Sequence, residues 1–295
     1  MQEHALQGPS CHHLETEFIA QVLELGYTKL NNFHAIEAPV VRARGQKVVC
    51  PRTQKLGSSY VDAIHGHEQV GLSNYMLSYS WSYSVGDVVE AITHHCDMES
   101  HDKKRSYFWI CCLCINQHRV QEARERAETV PFDEFHQEFR SRVYGIGHVL
   151  ALMTPWDQPV YVTRTWCVFE LFTAVSEESC RLTVIMPPRE ISRFCNSIQN
   201  GAFTSYLWTS LEQLDLENAS ASVQSDKEEI LRLVQHGVGF DQLNQAVRQH
   251  LLCWLAQTAF LECNEQLMDG RLMGDFAAAA ASETATLLHR LGKFD

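Results

Sequence analysis

Glu170 is the residue with the clearest chemical prospect. In the run TWCVFELFTAV it is the only charged side chain between Arg164 and Glu177, and Val168, Phe169, Leu171 and Phe172 surround it in sequence. If the run is helical, Trp166 at i−4 and Thr173 at i+3 share its face. The carboxylate then stands beside an indole near the start of a helix. An acid held against apolar surface loses hydration and its pKa tends to rise, the mark of a candidate catalytic group. The plainer reading, an ion pair with Arg164 or a carboxylate facing solvent, has about equal standing from this feature alone.

A second group closes the run YFWICCLCINQH (107–118), which reads as a strand buried on both faces and stopped by Asn116, Gln117 and His118. In an open parallel sheet, ligands bind beyond the carboxyl ends of the strands. The same rule selects Ser80 and Trp81 after YMLSYSW, and Trp156 and Asp157 after HVLALMTPW. The cysteines of the run are less promising. Alternation puts Cys112 and Cys114 on one strand face and Cys111 and Leu113 on the other. Cys111 and Cys114 have CxxC spacing, but sharing a zinc would require the chain to turn there, and no Gly, Pro or second CxxC supports that. They read as small core thiols, and no metal is expected. His12, His13, His94 and His95 fall in no HExxH pattern.

The elements that must position these residues alternate short apolar runs with helical patterns, the signature of a parallel sheet covered by helices. YMLSYSW (75–81), YFWICCLCI (107–115), HVLALMTPW (148–156) and RLTVIMPP (181–188) are the expected strands, with a fifth near Leu211 to Leu216. Ser84 and Asp87 form the capping pattern of a helix with apolar positions Val88, Val89, Ile92 and Cys96. RERAETVPFDEFHQEFRSRVYGI and TRTWCVFELFTAVSEE are also helical. Toward the C-terminus, Ser225 can cap a helix ended by Gly237, and Asp241 can open another running to about Glu262. The alanine run of FAAAAASETATLLHRLGKFD is a final helix or a disordered end. The expected organisation is an N-terminal extension (1–70), an α/β domain (71–216) and a helical region (217–295).

Composition bounds the partners. The 295-residue chain, 45% hydrophobic, has enough apolar material for a sizeable core. A formal charge of −12 argues against a nucleic-acid surface, which depends on clustered Lys and Arg. No apolar run approaches the roughly 18 residues of a membrane span, and MQEHALQGPSCHH has no signal-peptide pattern, so no membrane association is expected. Eleven cysteines without framework spacing suggest reduced thiols in the cytoplasm. No GxGxxG follows the first strand and no GxxxxGK[ST] is present, which removes the usual dinucleotide and triphosphate fingerprints.

WCVFEL, with YMLSYSW upstream, resembles the corresponding segments of Toll/interleukin-1-receptor (TIR) domains. CCLCINQH and RTWCVFE resemble blocks of the related fungal heterokaryon-incompatibility domains. Together, CPRTQKLGSSYVD, MLSYSW, CCLCINQHRV and TRTWCVFE are similar to a set of TIR-like proteins in dinoflagellate algae, over about residues 48–188. Where the fungal pattern has Asp after "WI", this chain has Cys111. The resemblance implies a flavodoxin-like parallel sheet and cleavage of NAD, as substrate rather than cofactor, with Glu170 catalytic. It puts Ser80, Trp81, Asn116, Gln117, Trp156 and Trp166 near the nucleotide, Trp81 or Trp156 as a stacking surface. It also implies self-assembly into a homo-oligomer. A catalytically silent interaction module is the alternative, since a fold does not by itself imply a function.

Overall fold

The computed structural model describes residues 6–126, 132–176, 179–199, 214–221 and 224–268. The chain forms two compact units, each discontinuous in sequence. The first comprises Met1–Leu152 and Ser176–Pro187, the second Met153–Val175 and Pro188–Asp295.

In the first unit, β1 (Gln7–Pro9) leads into α1 (Cys11–His13), and a π-helical stretch, Leu14–Phe18, continues into α2 (Ile19–Glu24). A second such composite joins α3 (Phe33–Ile36) to α4 (Ala43–Gly45) through the π-helical Glu37–Arg42. Strand β1 pairs antiparallel with β2 (Val70–Leu72), so the N-terminal segment is built into the same unit as the main sheet. That sheet has four parallel strands, β3 (Tyr75–Ser78), β4 (Phe108–Ile110), β5 (His148–Leu152) and β6 (Arg181–Ile185), in the order β4-β3-β5-β6. Its register aligns Leu77 with Ile110 on one side and with Leu150 on the other. This order is that of a flavodoxin-like doubly wound sheet, whose switch point lies between β3 and β5. Strands β3 and β4 are buried throughout, which is why their sequences are continuously apolar rather than alternating.

Helix α5 (Val85–Met98) starts as its sequence demands. The Ser84 hydroxyl accepts the Asp87 N–H at 3.0 Å and donates to the Asp87 carboxylate at 2.8 Å. Val88, Val89, Ile92 and Cys96 are all buried. Helix α5 packs against β6, and α8 (Phe132–Ile146) packs against β3 and β5.

The expected strand over 107–115 is corrected. It ends at Ile110, and Cys111–Cys114 form a single helical turn, α6, followed by α7 (Gln117–Glu125). A short apolar run is equally compatible with a buried strand and a buried helical turn. Here Gln117 decides: its amide donates toward the carbonyls of Cys111, Cys112 and Ile115 at 3.5, 3.3 and 3.4 Å, and the Ile110 N–H meets the Cys114 sulfur at 3.2 Å. The cysteines therefore do not alternate across a sheet. Cys112, Leu113 and Cys114 are buried together while Cys111 is half-exposed.

The second unit contains α9 (Thr165–Ser176), α10 (Pro188–Gln199), α11 (Gln224–His236) and α12 (Phe240–Met268). Helix α11 begins at Gln224, so Ser225 lies inside its first turn. Gly237 ends it, its N–H returning to the Leu233 carbonyl at 3.0 Å. The expected fifth strand falls mostly outside the described residues, and its described end, Leu214 to Leu216, leads into a turn. The alanine run lies outside the described residues too. Among the described residues, no helix is long and apolar enough to cross a membrane.

Candidate functional site

The candidate residues divide between the units: Ser80, Trp81, Asn116 and Gln117 belong to the first, and Trp156, Trp166 and Glu170 to the second.

In the first unit the chain leaving β3 runs through Tyr79, Ser80 and Trp81. Ser80 is buried, and its hydroxyl bonds the Ser82 hydroxyl at 2.7 Å and accepts the Ser82 N–H at 3.3 Å. The half-buried Trp81 indole donates to the Cys111 sulfur at 3.2 Å and lies 5.5 Å from the His34 ring. The Cys111 thiol also reaches the Tyr79 hydroxyl at 3.8 Å. The tip of β3 and the first residue of α6 are thus joined through one sulfur. Asn116 is buried; its oxygen caps α7 by accepting the His118 and Arg119 N–H groups at 3.0 and 3.4 Å, and its nitrogen donates to the Gly57 carbonyl at 3.0 Å. With the Gln117 amide turned onto α6, both amides hold the backbone that follows β4.

The two CxxC sulfurs have different partners. The Cys114 sulfur accepts the Ile110 N–H while Cys111 serves Trp81, and burial pushes the Cys112 and Cys114 thiols up. Among the described residues, no three His, Cys, Asp or Glu side chains are grouped to hold a metal ion.

In the second unit, Glu170 lies half-buried on α9 one turn beyond the half-buried Trp166, while Cys167, Val168, Phe169 and Leu171 are buried. Trp166 meets Phe169 edge-on at 6.2 Å. The helix start is fixed by Thr165, whose N–H donates to the Ser220 carbonyl at 2.9 Å and whose hydroxyl donates to Ala219 at 3.1 Å. Trp156 is only 4% exposed and packs edge-on against Phe194 at 5.1 Å. Its backbone N–H donates at 3.0 Å to Glu190, a carboxylate 2% exposed that also takes two bonds from Arg193 at 2.8 and 3.0 Å. Arg193 continues to Asp157 at 2.9 Å.

Two groups were not visible in the sequence. Cys50, in CPRT, is covered by protein, and burial pushes its thiol up. Hydrogen bonds from the Thr53 hydroxyl, the Thr53 and Arg52 N–H groups and the Asn116 amide outweigh this and lower it. At the amino end of the sheet, Tyr75 bonds His101 at 3.0 Å and has the His95 and His148 rings 5.4 and 5.0 Å away. The Cys-Pro-Arg-Thr tetrapeptide carries a local turn signal for the first; the second is assembled from four separated segments and has no local signal.

Glu170 supplies one carboxylate on a largely apolar helix, and Trp81 a half-buried indole at the tip of a parallel strand. These are suited to stabilising a cation and to flanking an aromatic ring, respectively. Compared with protein-family models, with curated proteins and with solved structures, the chain matches none.

Proposed function

We propose that the chain is a TIR-like protein that cleaves NAD between ribose and nicotinamide, with Glu170 as its catalytic residue. The observation that carries this reading is Glu170 itself, a half-buried acid one turn beyond Trp166 on a helix where the residues flanking it in sequence, Val168, Phe169, Leu171 and Phe172, are apolar. The parallel sheet order supports it at the level of architecture. Breaking the glycosidic bond builds positive charge on the ribose, which a nearby carboxylate stabilises. Nicotinamide leaves a cationic precursor as a neutral molecule, so the departure needs no second acid. On this reading Trp166 lies beside the nucleotide with Glu170, and the protein works in the cytoplasm as a homo-oligomer.

One observation favours a second reading, a silent self-assembling module: the polar groups of Ser80, Asn116 and Gln117 are engaged within the protein. Purified protein incubated with NAD at low and high protein concentration, with nicotinamide release followed beside Glu170→Gln, separates the two. Turnover in the parent and its loss in the variant support the hydrolase. No turnover in either state of assembly, with oligomers present, supports the module.

A further inference from the structure

Two stretches of the first unit carry opposite charge. Residues 38–61 hold five basic side chains, Arg42, Arg44, Lys47, Arg52 and Lys55, and no acid, in a chain whose formal charge is −12. Arg42 is paired with Glu37 at 3.2 Å; the other four are exposed and, among the described residues, have no ion-pair partner. They stand along a hairpin fixed by its backbone. Val49 and Leu56 face each other in an antiparallel bridge, the Gly57 N–H donates to the Val48 carbonyl at 2.9 Å, and the Cys50 N–H donates to the Lys55 carbonyl at 2.8 Å. Arg119 donates to the Leu56 carbonyl at 2.6 Å, which ties the hairpin to α7. Val49 and Leu56 are nevertheless more than half exposed. Exposed aliphatic side chains grouped among cations on an ordered hairpin, rather than scattered singly, mark a contact surface.

The acidic counterpart is the helical segment that ends in α2. Residues 14–28 hold three glutamates and no base. Leu14, Phe18, Ile19 and Val22 are buried, so the opposite face, with Thr16, Glu17, Ala20, Leu23 and Glu24, looks to solvent. Leu23 is half exposed there, and Leu25 and Leu30 beyond the helix end are at least as open. Among the described residues Glu24 has no ion-pair partner, and Glu17 has only the buried His13, at 3.7 Å. Tyr60, which follows the hairpin, donates to Gln21 on α2 at 3.2 Å and meets Phe18 edge-on at 5.6 Å, so the base of the hairpin is anchored beside that helix.

We propose that the basic hairpin docks on the acidic, leucine-bearing face of α2 in a second copy of the chain, forming a dimer in which this contact is made twice. The two patches match in kind: Arg44, Lys47, Arg52 and Lys55 surround Val49 and Leu56, while Glu17 and Glu24 flank Ala20 and Leu23. Opposed charges steer and register such a contact, and the aliphatic side chains are what it removes from water. In a two-fold arrangement each residue pair occurs twice with the copies exchanged, so two unlike patches side by side on one unit are enough to close the assembly. A purely anionic surface would satisfy the cations and leave Leu23, Leu25 and Leu30 uncovered; a second copy covers both sets. The proposal gives a surface to the homo-oligomer of the reading above and rests on that part of it alone, with no role for Glu170.

Sedimentation velocity of the purified full-length chain over a dilution series tests it. The expected result is a reversible dimer that weakens as sodium chloride rises from about 0.1 to about 1 M, which shortens the Debye length from about 10 to about 3 Å. The double variants Arg52→Glu with Lys55→Glu, and Glu17→Lys with Glu24→Lys, should each weaken dimerisation about tenfold or more, since like charges then face each other. Mixing the two variants should restore it. One contact of the mixed dimer is then native and the other has both charges exchanged, and restoration also shows that both variants are folded. A parent that stays monomeric at every concentration would overturn the docking and the homo-oligomer together. A parent oligomer that persists in both variants would overturn the docking alone. So would a mixture that fails to recover what each variant lost, or a monomeric parent that floats with phosphatidylserine vesicles through Arg52 and Lys55, which would assign the hairpin to a membrane.

Discussion

The side-chain nitrogen of Asn116 donates to the Gly57 carbonyl at 3.0 Å while its oxygen caps α7, so one buried amide ties the loop before β2 to the segment after β4. Asn116→Ala removes the cap and leaves the buried Gly57 carbonyl with only the longer 3.4 Å bond from the Arg119 guanidinium, and the expected loss is about 1–3 kcal/mol. Asn116→Ser keeps an N-cap oxygen and loses only the reach to Gly57, so it should recover about half of that loss. Urea unfolding monitored by circular dichroism measures both. Full stability in Asn116→Ala would show that the amide does not hold these segments together and would free it for a ligand.

Glu190 makes a comparable tie in the second unit, between the Trp156 backbone and Arg193. Glu190→Ala leaves the Trp156 N–H without its acceptor and Arg193 with one fewer anion, and should cost about 2–4 kcal/mol. Glu190→Gln retains an acceptor and should cost less. Tryptophan fluorescence during urea titration reads the change, and equal midpoints for all three proteins would contradict it. Because the Trp156 ring packs on Phe194 and is nearly sealed from solvent, Trp156→Phe should shift the urea midpoint as well.

Local chemistry made parts of this structure legible and left others hidden. Ser84 and Asp87 announce the start of α5 because a cap is a bond between residues three apart. The four apolar runs mark the sheet because strands β3 and β4 are buried throughout. The helical turn at Cys111–Cys114 was not legible: the side chain that closes it, Gln117, lies beyond the run and acts through backbone carbonyls, which composition does not register. Nor did the sequence reveal the internal partner of the Asn116 nitrogen, since Gly57 is remote along the chain. Glu170 stood out because a single charge in an apolar helix is visible in any window, but its helical neighbours Trp166 and Thr173 define only one wall of a site. What faces that wall depends on chain segments far from α9, and spacing within the helix carries no sign of them.

The histidines at the amino end of the sheet set the response to acid. His148 on β5 bonds the Thr183 hydroxyl at 2.9 Å, and burial lowers its pKa from 6.5 to about 4, with Arg181, His95 and His101 adding to the shift. Burial lowers His95 as well, with His94, His101 and Arg181 reinforcing and Glu99 opposing, and the His95 Nε2 is buried without a hydrogen-bond partner. His13, bonded to Gln69 and Tyr60 at 2.7 and 3.0 Å, is lowered mainly by burial. In each case the folded protein binds its proton less readily than the unfolded chain. Stability from these groups is therefore complete above the unfolded pKa near 6.5, and for His148 it drains away as pH falls from there to about 4. Discounted for its partial exposure, the His148 share is about 1–2 kcal/mol. Thermal midpoints between pH 7.5 and 4.5 should fall more steeply for the parent than for His148→Asn, the gap narrowing toward the acid end because the variant has lost a group that acid would otherwise charge. Parallel curves, or a parent that gains stability as pH drops through 6, would mean that His148 is already solvated in the folded state.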